Sequence, residues 1–347
     1  MRKKKILFVA SQINGFGGIQ RFNRNLISAF GSHITDVISL VESNKTGGIK
    51  KKNKLLFASE YIKKVMTYKP DIIVIGHLNF ILFSALRMIY PSKIVIILHG
   101  VEAWERRARI SSFFRFIDEF WAVSYYTKDV FSKIYSIDNK VKRIFNTLPE
   151  SWKLSSPTSP NIFKKYFLSV TRLDAQEGYK GIDTTIHAIA KIKNQLVEEN
   201  WKYIVIASGD DIERHKRLAI DLGVFDFISF QSGVTDKVLK ELYSECSFFI
   251  LPSSGEGFGI VFLEAMAYLK PCIGGKNCGT EDVIDDKVTG FLVEREVDQI
   301  AEAIIQLINS EERVIEMGKA GYQKLKDEYI FEHFQTHIKK LITECVE

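Results

Sequence analysis

The chain has 347 residues, 46% apolar and 26% charged, a composition that fits a globular protein and sets two domains as the expectation from length. Its four cysteines (Cys246, Cys272, Cys278, Cys345) show neither C-x-x-C spacing nor companion histidines, so neither a zinc site nor a disulfide framework is indicated and a reduced, cytoplasmic setting is expected. The net charge of +6 is unevenly spread, residues 1–160 carrying 26 Lys+Arg against 11 Asp+Glu and the remainder 22 against 31.

The opening "MRKKKILFVA" is basic and then apolar, but its apolar run is too short for a signal peptide and reads as a buried strand. The most apolar stretch, "NFILFSALRMIYPSKIVIILHG", is interrupted by Arg87, Pro91 and Lys93, so no membrane-spanning helix is expected. Positive charge gathers in "KKKNK" (50–54) and "RRAR" (106–109). A field of that sign attracts anionic lipid or nucleic acid; a solvated lysine-rich surface is the other reading.

Along the first half, the apolar runs "KILFVA", "DVISLV", "DIIVIG", "KIVIILHG", "EFWAVS" and "VKRIFN" alternate with amphipathic segments such as "IQRFNRNLISAF". Continuous apolar runs predict strands covered on both faces, and the alternation predicts βαβ units in a parallel sheet. A proline- and serine-rich stretch, "NTLPESWKLSSPTSPNIFKK", then reads as a linker. A second series follows: "YFLSVTRL", "YIVIASG", "FISFQSG", "FFILPSS", "PCIGG" and "TGFLV". The sequence therefore predicts an α/β protein of two Rossmann-like, doubly wound parallel-sheet domains, over 1–155 and 156–327, facing a central cleft. In such sheets ligands bind outside the carboxyl ends of the strands. Residues 328–347 carry Ile330, Phe331, Phe334, Ile338, Leu341, Ile342 and Cys345 at helical spacing, and the expected helix packs back across the first domain.

Four stretches carry chemistry. In "FFILPSSGEGFGIVFLEAMAYLKPC" a strand ends at Pro252, a glycine-rich turn follows and a helix opens near Gly259. Amides at such a turn attract phosphate, whereas Glu256 and Glu264 suit hydroxyls as acceptors. In "SVTRLDAQEGYKGIDTTI", Arg172 and Lys180 flank a strand end and a helix start, where two cations would neutralise a diphosphate leaving group. The glycines of "INGFGGIQRF" fail the G-x-G-x-x-G fingerprint because residue 20 is glutamine, and Glu42 is the nearest candidate for a ribose-binding acid. His77 and His99 each fall at a predicted strand end, His99 with Glu102 close by. No D-x-D and no P-loop motif occurs. Each of these stretches, taken alone, also admits an ordinary surface or capping role.

Together, and in this order, they resemble the retaining family-4 glycosyltransferases of the GT-B fold. The matching stretches are "GFGGIQRF", "LHGVEAW", "AVSYYTKDVF", "VTRLDAQEGYKGID" and "PSSGEGFGIVFLEAMAYLKPC" through "GTEDVIDDKVTGFLV". The resemblance implies that the first domain holds the acceptor and the second the nucleotide sugar. Gly17 and Gly18 would approach the diphosphate by their backbone, and Arg172 and Lys180 would bind its oxygens. Glu256 and the amides of Gly257, Phe258 and Gly259 would hold the donor sugar, Glu264 the ribose hydroxyls, and Val234 the base through its backbone. His99 would contact the sugar near the reacting carbon, so that His99, Glu256, Arg172 and Lys180 form the catalytic set, with His77 and Glu102 on the acceptor side.

The resemblance further implies transfer with retention, no metal and no cofactor, the nucleotide sugar (a UDP-sugar before a GDP-sugar) being a substrate. The implied acceptor is a glycan or lipid-linked hydroxyl in bacterial surface polysaccharide synthesis. The basic half would then meet an anionic membrane at its inner face, and nucleic acid is not expected. One departure stands out: the family has glycine where Leu269 stands. A left-handed leucine costs about 1 kcal/mol, so a different helix end is expected. The competing classes are an NAD-type Rossmann oxidoreductase, which lacks a clear ribose acid, and a non-catalytic nucleotide-sugar-binding protein.

Overall fold

The computed structural model describes residues 3–15, 17–40, 51–107, 109–150, 152 and 164–346, the side chains of 51–54 excepted. Glu42, Lys50 and most of the proline- and serine-rich stretch lie outside the described residues. The chain divides into two compact units, Met1–Ser151 with Tyr329–Glu347, and Trp152–Glu328.

The first unit is built on β1 (Lys5–Ala10), α1 (Gly18–Ala29), β2 (Ile34–Ser39), α2 (Lys51–Tyr68), β3 (Ile72–Ile75), β4 (Lys93–Leu98), β5 (Glu119–Ala122), α3 (Tyr125–Tyr135) and β6 (Val141–Arg143). Its six strands are all parallel, in the order β2-β1-β3-β4-β5-β6. Ile6–Ala10, Ile72–Ile75 and Ile94–Leu98 are buried throughout, which is why these strands read as unbroken apolar runs instead of alternating ones. After β1 the chain places β2 on one side and β3 on the other, so the sheet order reverses at β1/β3.

The second unit contains β7 (Tyr166–Arg172), α4 (Ile182–Lys191), α5 (Lys193–Glu198), β8 (Lys202–Ser208), α6 (Ile212–Asp221), β9 (Ile228–Gln231), α7 (Asp236–Glu245), β10 (Phe248–Leu251), α8 (Ile260–Met266), β11 (Cys272–Gly275), β12 (Gly290–Val293), α9 (Val297–Ile308) and α10 (Glu311–Glu328). The order β12-β11-β10-β7-β8-β9 is again wholly parallel. Tyr203, Phe167 and Phe248 stack across three neighbouring strands, with centroids 4.9 and 5.0 Å apart. This order reverses at β7/β10, the kind of place where an open sheet leaves a crevice for ligands.

The last helix, α11 (Phe331–Val346), belongs to the first unit. Its buried face presents Phe331, Phe334, Ile338, Leu341 and Ile342, and Phe334 meets Phe22 of α1 edge-on at 6.2 Å. Each such side chain contributes roughly 1.5–3 kcal/mol on burial. Polar contacts fix the register: Thr147 Oγ1 donates to the Tyr329 carbonyl (2.7 Å), and Lys142 pairs with Glu344 (2.9 Å).

The end of α8 departs from expectation. Leu269 keeps the left-handed conformation, at φ +60°, in place of a different helix end. The Leu269 amide bonds the Met266 carbonyl (3.0 Å) and the Lys270 amide the Ala265 carbonyl (3.1 Å), the paired bonds of a Schellman cap. The side chain is 8% exposed, and its burial offsets the backbone strain. α10 approaches closely here, for a Cβ on Gly318 would lie 2.0 Å from the Leu269 carbonyl oxygen. Leu269→Gly relieves about 1 kcal/mol of strain but forfeits about 1.5–3 kcal/mol of burial. Urea unfolding should therefore show the glycine variant less stable than wild type, and a more stable variant would refute this account.

Candidate active site

The second unit assembles its charged residues at the carboxyl ends of β7 and β10. Arg172 is the last residue of β7, and Lys180 ends the short turn Gly178–Lys180 that leads into α4. The loop after β10 lies against that turn: the Ser254 amide donates to the Tyr179 carbonyl at 3.0 Å. Gly181 makes the approach possible, since its φ is +76° and a Cβ there would lie 2.4 Å from the Pro252 carbonyl oxygen. Lys180 is thereby delivered onto Glu256, and the two form an ion pair with side chains only 16% and 15% exposed.

A second pair stands beside it. Arg172 donates through Nε to Glu177 Oε2 at 3.2 Å and forms a further Nη2 bond to the same carboxylate, while its Nε lies 3.1 Å from Asp174. The charge balance shows in the titration of these groups. Burial would lower the Lys180 ammonium, but the Glu256 carboxylate outweighs it and holds Lys180 above its ordinary value. Burial would raise Glu177, yet the hydrogen bond from Arg172 and the charge of Lys180 keep it below the usual carboxylate range. The four residues form one network of alternating sign.

Gly259 is the N-cap of α8, and no side chain caps it. The Glu256 carbonyl accepts from the Gly279 amide at 2.7 Å, fixing the glycine-rich turn that holds Gly257 and Phe258. Glu264 is neither exposed nor idle: it is 0% exposed, and Oε2 accepts the Tyr243 hydroxyl at 2.9 Å. Val234 sits between β9 and α7, two positions before the first residue of that helix.

The first unit gathers its own group beside β1/β3. Gly17 caps α1 and Gly18 opens it, again without a side-chain cap. His77 follows β3, and its Nδ1 accepts from the Asn79 amide (3.1 Å). His99 follows β4, and its backbone amide donates to Glu102 Oε1 (2.6 Å). Its Nε2 lies 2.9 Å from the Gly76 carbonyl; that oxygen can only accept, so Nε2 carries the proton and Nδ1 is left as an acceptor. The two imidazoles lie 5.8 Å apart, and Phe22 of α1 packs edge-on to His99 at 5.2 Å. Burial, with the neighbouring His77, outweighs the Glu102 carboxylate and depresses His99 to about 4. The ring is neutral at pH 7.

Residues 153–324 match the family model for glycosyl transferases group 1. A GDP-mannose-dependent alpha-(1-6)-phosphatidylinositol monomannoside mannosyltransferase of Mycobacterium tuberculosis is 33% identical over 150 residues. That alignment covers 41% of this chain and 38% of the relative's length. An uncharacterized glycosyltransferase of Haemophilus influenzae is 25% identical over 350 residues, covering 91% of this chain and 93% of that protein. The crystal structure of Anabaena HepE in complex with UDP and glucose superposes with a TM-score of 0.79 at 18% identity, over 98% of this chain and 100% of that one. These matches support the glycosyltransferase family. The fold is GT-B, with two Rossmann-like parallel-sheet domains.

Within this glycosyltransferase fold, several polar residues escaped the sequence reading. Glu177 lies five residues after Arg172, and nothing in sequence marks it as the partner of Arg172. Tyr243 falls on the buried stripe of α7 with Leu239, where it reads as core. Asp183, at the start of α4, takes a bond from His215 Nε2 (2.8 Å) and from Arg214 Nη1 (3.0 Å), while Arg214 also clasps Asp211. The bond from His215 holds Asp183 down at about 2 against the effect of burial, with Arg214 adding to it. This cluster ties the start of α6 to the start of α4, three residues beyond Lys180. Only its i, i+3, i+4 part (Asp211, Arg214, His215) is visible in the sequence.

Among the described residues, no cluster of three or more His, Cys, Asp or Glu is placed to hold a metal ion. The four cysteines are free and buried, and no described helix is long and apolar enough to cross a membrane.

The state of His99 sets a pH dependence. Between about pH 6.5 and 4 the unfolded chain binds more protons at this ring than the folded chain. Its contribution to stability therefore falls as pH drops through that window. Urea unfolding at pH 7 and pH 5 should show a smaller loss for His99→Gln than for wild type; equal losses would contradict a buried neutral imidazole.

Proposed function

We propose that this protein is a retaining glycosyltransferase. In this reading it moves a hexose or related sugar from a nucleotide-diphosphate sugar to a hydroxyl of a glycan or lipid-linked acceptor, in bacterial surface polysaccharide synthesis. The observation that carries the reading is the network of Arg172, Glu177, Lys180 and Glu256 at the β7/β10 reversal. A dianionic diphosphate entering there takes over Lys180 and Arg172, both already charged and half-oriented by their carboxylates. Released from Lys180, Glu256 becomes an acceptor for sugar hydroxyls, alongside the amides of Gly257, Phe258 and Gly259. One exchange of partners thus couples phosphate binding to sugar binding.

Catalysis in this reading is electrostatic. Fixed cations stabilise the charge that develops on the leaving diphosphate, and they do so without reorganising at the moment of reaction. The departing phosphate then takes the acceptor's proton, and no metal is required. His99, neutral with Nδ1 as acceptor, contributes a polar contact to the sugar near the reacting carbon, not a proton. Gly17 and Gly18 offer the amides of an uncapped helix start to the diphosphate. Val234 meets the base through its backbone, and Glu264 the ribose hydroxyls. Because Glu264 is fully covered, ribose reaches it only as the side chains over it shift. His77 and Glu102 stand on the acceptor side.

The relatives bear on the substrates. The mycobacterial relative is named for GDP-mannose and a phosphatidylinositol mannoside, which favours a lipid-linked acceptor in this reading; contact between the basic first half and an anionic membrane is proposed from the charge of residues 1–160 alone. The nucleotides named for the two differ, GDP-mannose for the mycobacterial relative and UDP for the Anabaena structure, so the proposed preference for a UDP-sugar is decided by the donor panel below.

A thermal-shift panel of UDP-, GDP- and ADP-sugars tests the donor class, and the expected outcome is stabilisation by one nucleotide series; a flat panel refutes the proposal. Lys180→Ala and Glu264→Ala should each weaken donor binding by about 1.5–3 kcal/mol, the worth of a charge-assisted hydrogen bond, and abolish most turnover while the fold persists. Near-wild-type turnover in either would count against the site.

A further inference from the structure

We infer that Tyr243 is a positioning residue for Glu264, and through it for the ribose end of the donor. The inference rests on the reading above, in which Glu264 receives the ribose hydroxyls. Tyr243 and Glu264 are both 0% exposed, and the Tyr243 hydroxyl donates to Glu264 Oε2 at 2.9 Å. A carboxylate on a three-torsion side chain has several rotamers and a freely turning end plane. A donor held at hydrogen-bond distance from one oxygen selects a rotamer and fixes that plane, and so the direction in which the other oxygen faces.

The donor's ring is itself packed between two others. The Tyr243 ring lies parallel to Tyr268 (centroids 6.1 Å apart, planes 1° apart) and against Phe249 at 5.9 Å. Both neighbours are tied to the same parts of the fold as Glu264: Phe249 is in β10, and Tyr268 follows α8 just before the Schellman cap at Leu269. The ring's packing would be served equally by phenylalanine. The hydroxyl is the atom that packing does not explain, and buried in this place it also meets part of the hydrogen-bonding demand of a desolvated carboxylate.

Tyr243 also links two parts of donor recognition. α7 starts at Asp236, capped by the Thr235 hydroxyl on the Val238 amide (3.3 Å), and Val234 immediately precedes that cap. One ten-residue helix therefore carries the base-contacting backbone at its start and the ribose-orienting hydroxyl two residues before its end. Base and ribose are set by the same rigid body, which selects a nucleoside as a unit.

The test is isothermal titration of the full-length chain with the nucleoside diphosphate that stabilises it most, and with its 2′,3′-dideoxy counterpart. Wild type should prefer the ribonucleotide by roughly tenfold or more, the scale of hydrogen bonds to a charged acceptor. Tyr243→Phe should lose most of that preference while binding the dideoxy nucleotide as wild type does, a pattern that loss of packing would not produce. Titration at 10 °C, with melting curves alongside, separates the effect from lowered stability. A Tyr243→Phe variant that keeps or increases the wild-type preference overturns the inference. If Glu264→Gln keeps the preference as well, the ribose role of Glu264 fails and the inference fails with it. If Glu264→Gln loses the preference and Tyr243→Phe does not, only the positioning role is refuted. A chain that binds none of UDP, GDP or ADP overturns the donor reading itself.

Discussion

The pairing of Lys180 with Glu256 is the constraint around which the polar residues at the strand ends of the second unit are arranged. Two half-buried charges from segments 76 residues apart can be kept at a strand end only if each compensates the other's loss of water. Everything nearby serves that approach: the left-handed Gly181, the bond from the Ser254 amide to the Tyr179 carbonyl, and the reversal of sheet order that leaves room above β7 and β10. Removing either partner would strand a charge. Exchanging one anion for another does not, which is why the proposed function has a phosphate take the place of Glu256 on Lys180.

The surrounding groups extend the same logic of compensation. Arg172 is balanced by Glu177 and Asp174, Glu264 takes the Tyr243 hydroxyl, and Asp183 is satisfied by His215 and Arg214. In the first unit the solution is different, for His99 avoids the cost of burial by staying neutral. Its two ring nitrogens are then unlike, one committed as donor to Gly76 and the other left as acceptor. Charged groups are held ready in one unit and a neutral polar group in the other.

The helix end at Leu269 shows how local and tertiary preferences were weighed. By local preference alone leucine belongs elsewhere, since its side chain opposes the left-handed backbone. The Schellman bonds and the side chain's burial outweigh that opposition, and Gly318 of α10 leaves room for the Leu269 carbonyl. A single-residue rule about cap residues gave the wrong expectation here because the side chain's burial, 8% exposed, is a tertiary property that the rule does not include.

The alternation of apolar runs and amphipathic segments in the sequence determined the α/β class, the parallel strands and the division into two sheets. The physical reason is local: a strand covered on both faces must be apolar at every position, and a surface helix must repeat near 3.6. The glycine-rich turn and the spacing of Glu256 and Glu264 are equally visible in the sequence, because they lie within one short stretch of chain. Only the tertiary structure decided which charge meets which. Strand order β12-β11-β10-β7-β8-β9 puts β7 next to β10 and so brings Lys180 onto Glu256, and no periodicity in the chain encodes that neighbour; nor does any local pattern mark Tyr243 as the donor to Glu264 or His215 as the donor to Asp183. Side chains that act across the sheet are fixed by topology, and topology is a property of the whole chain.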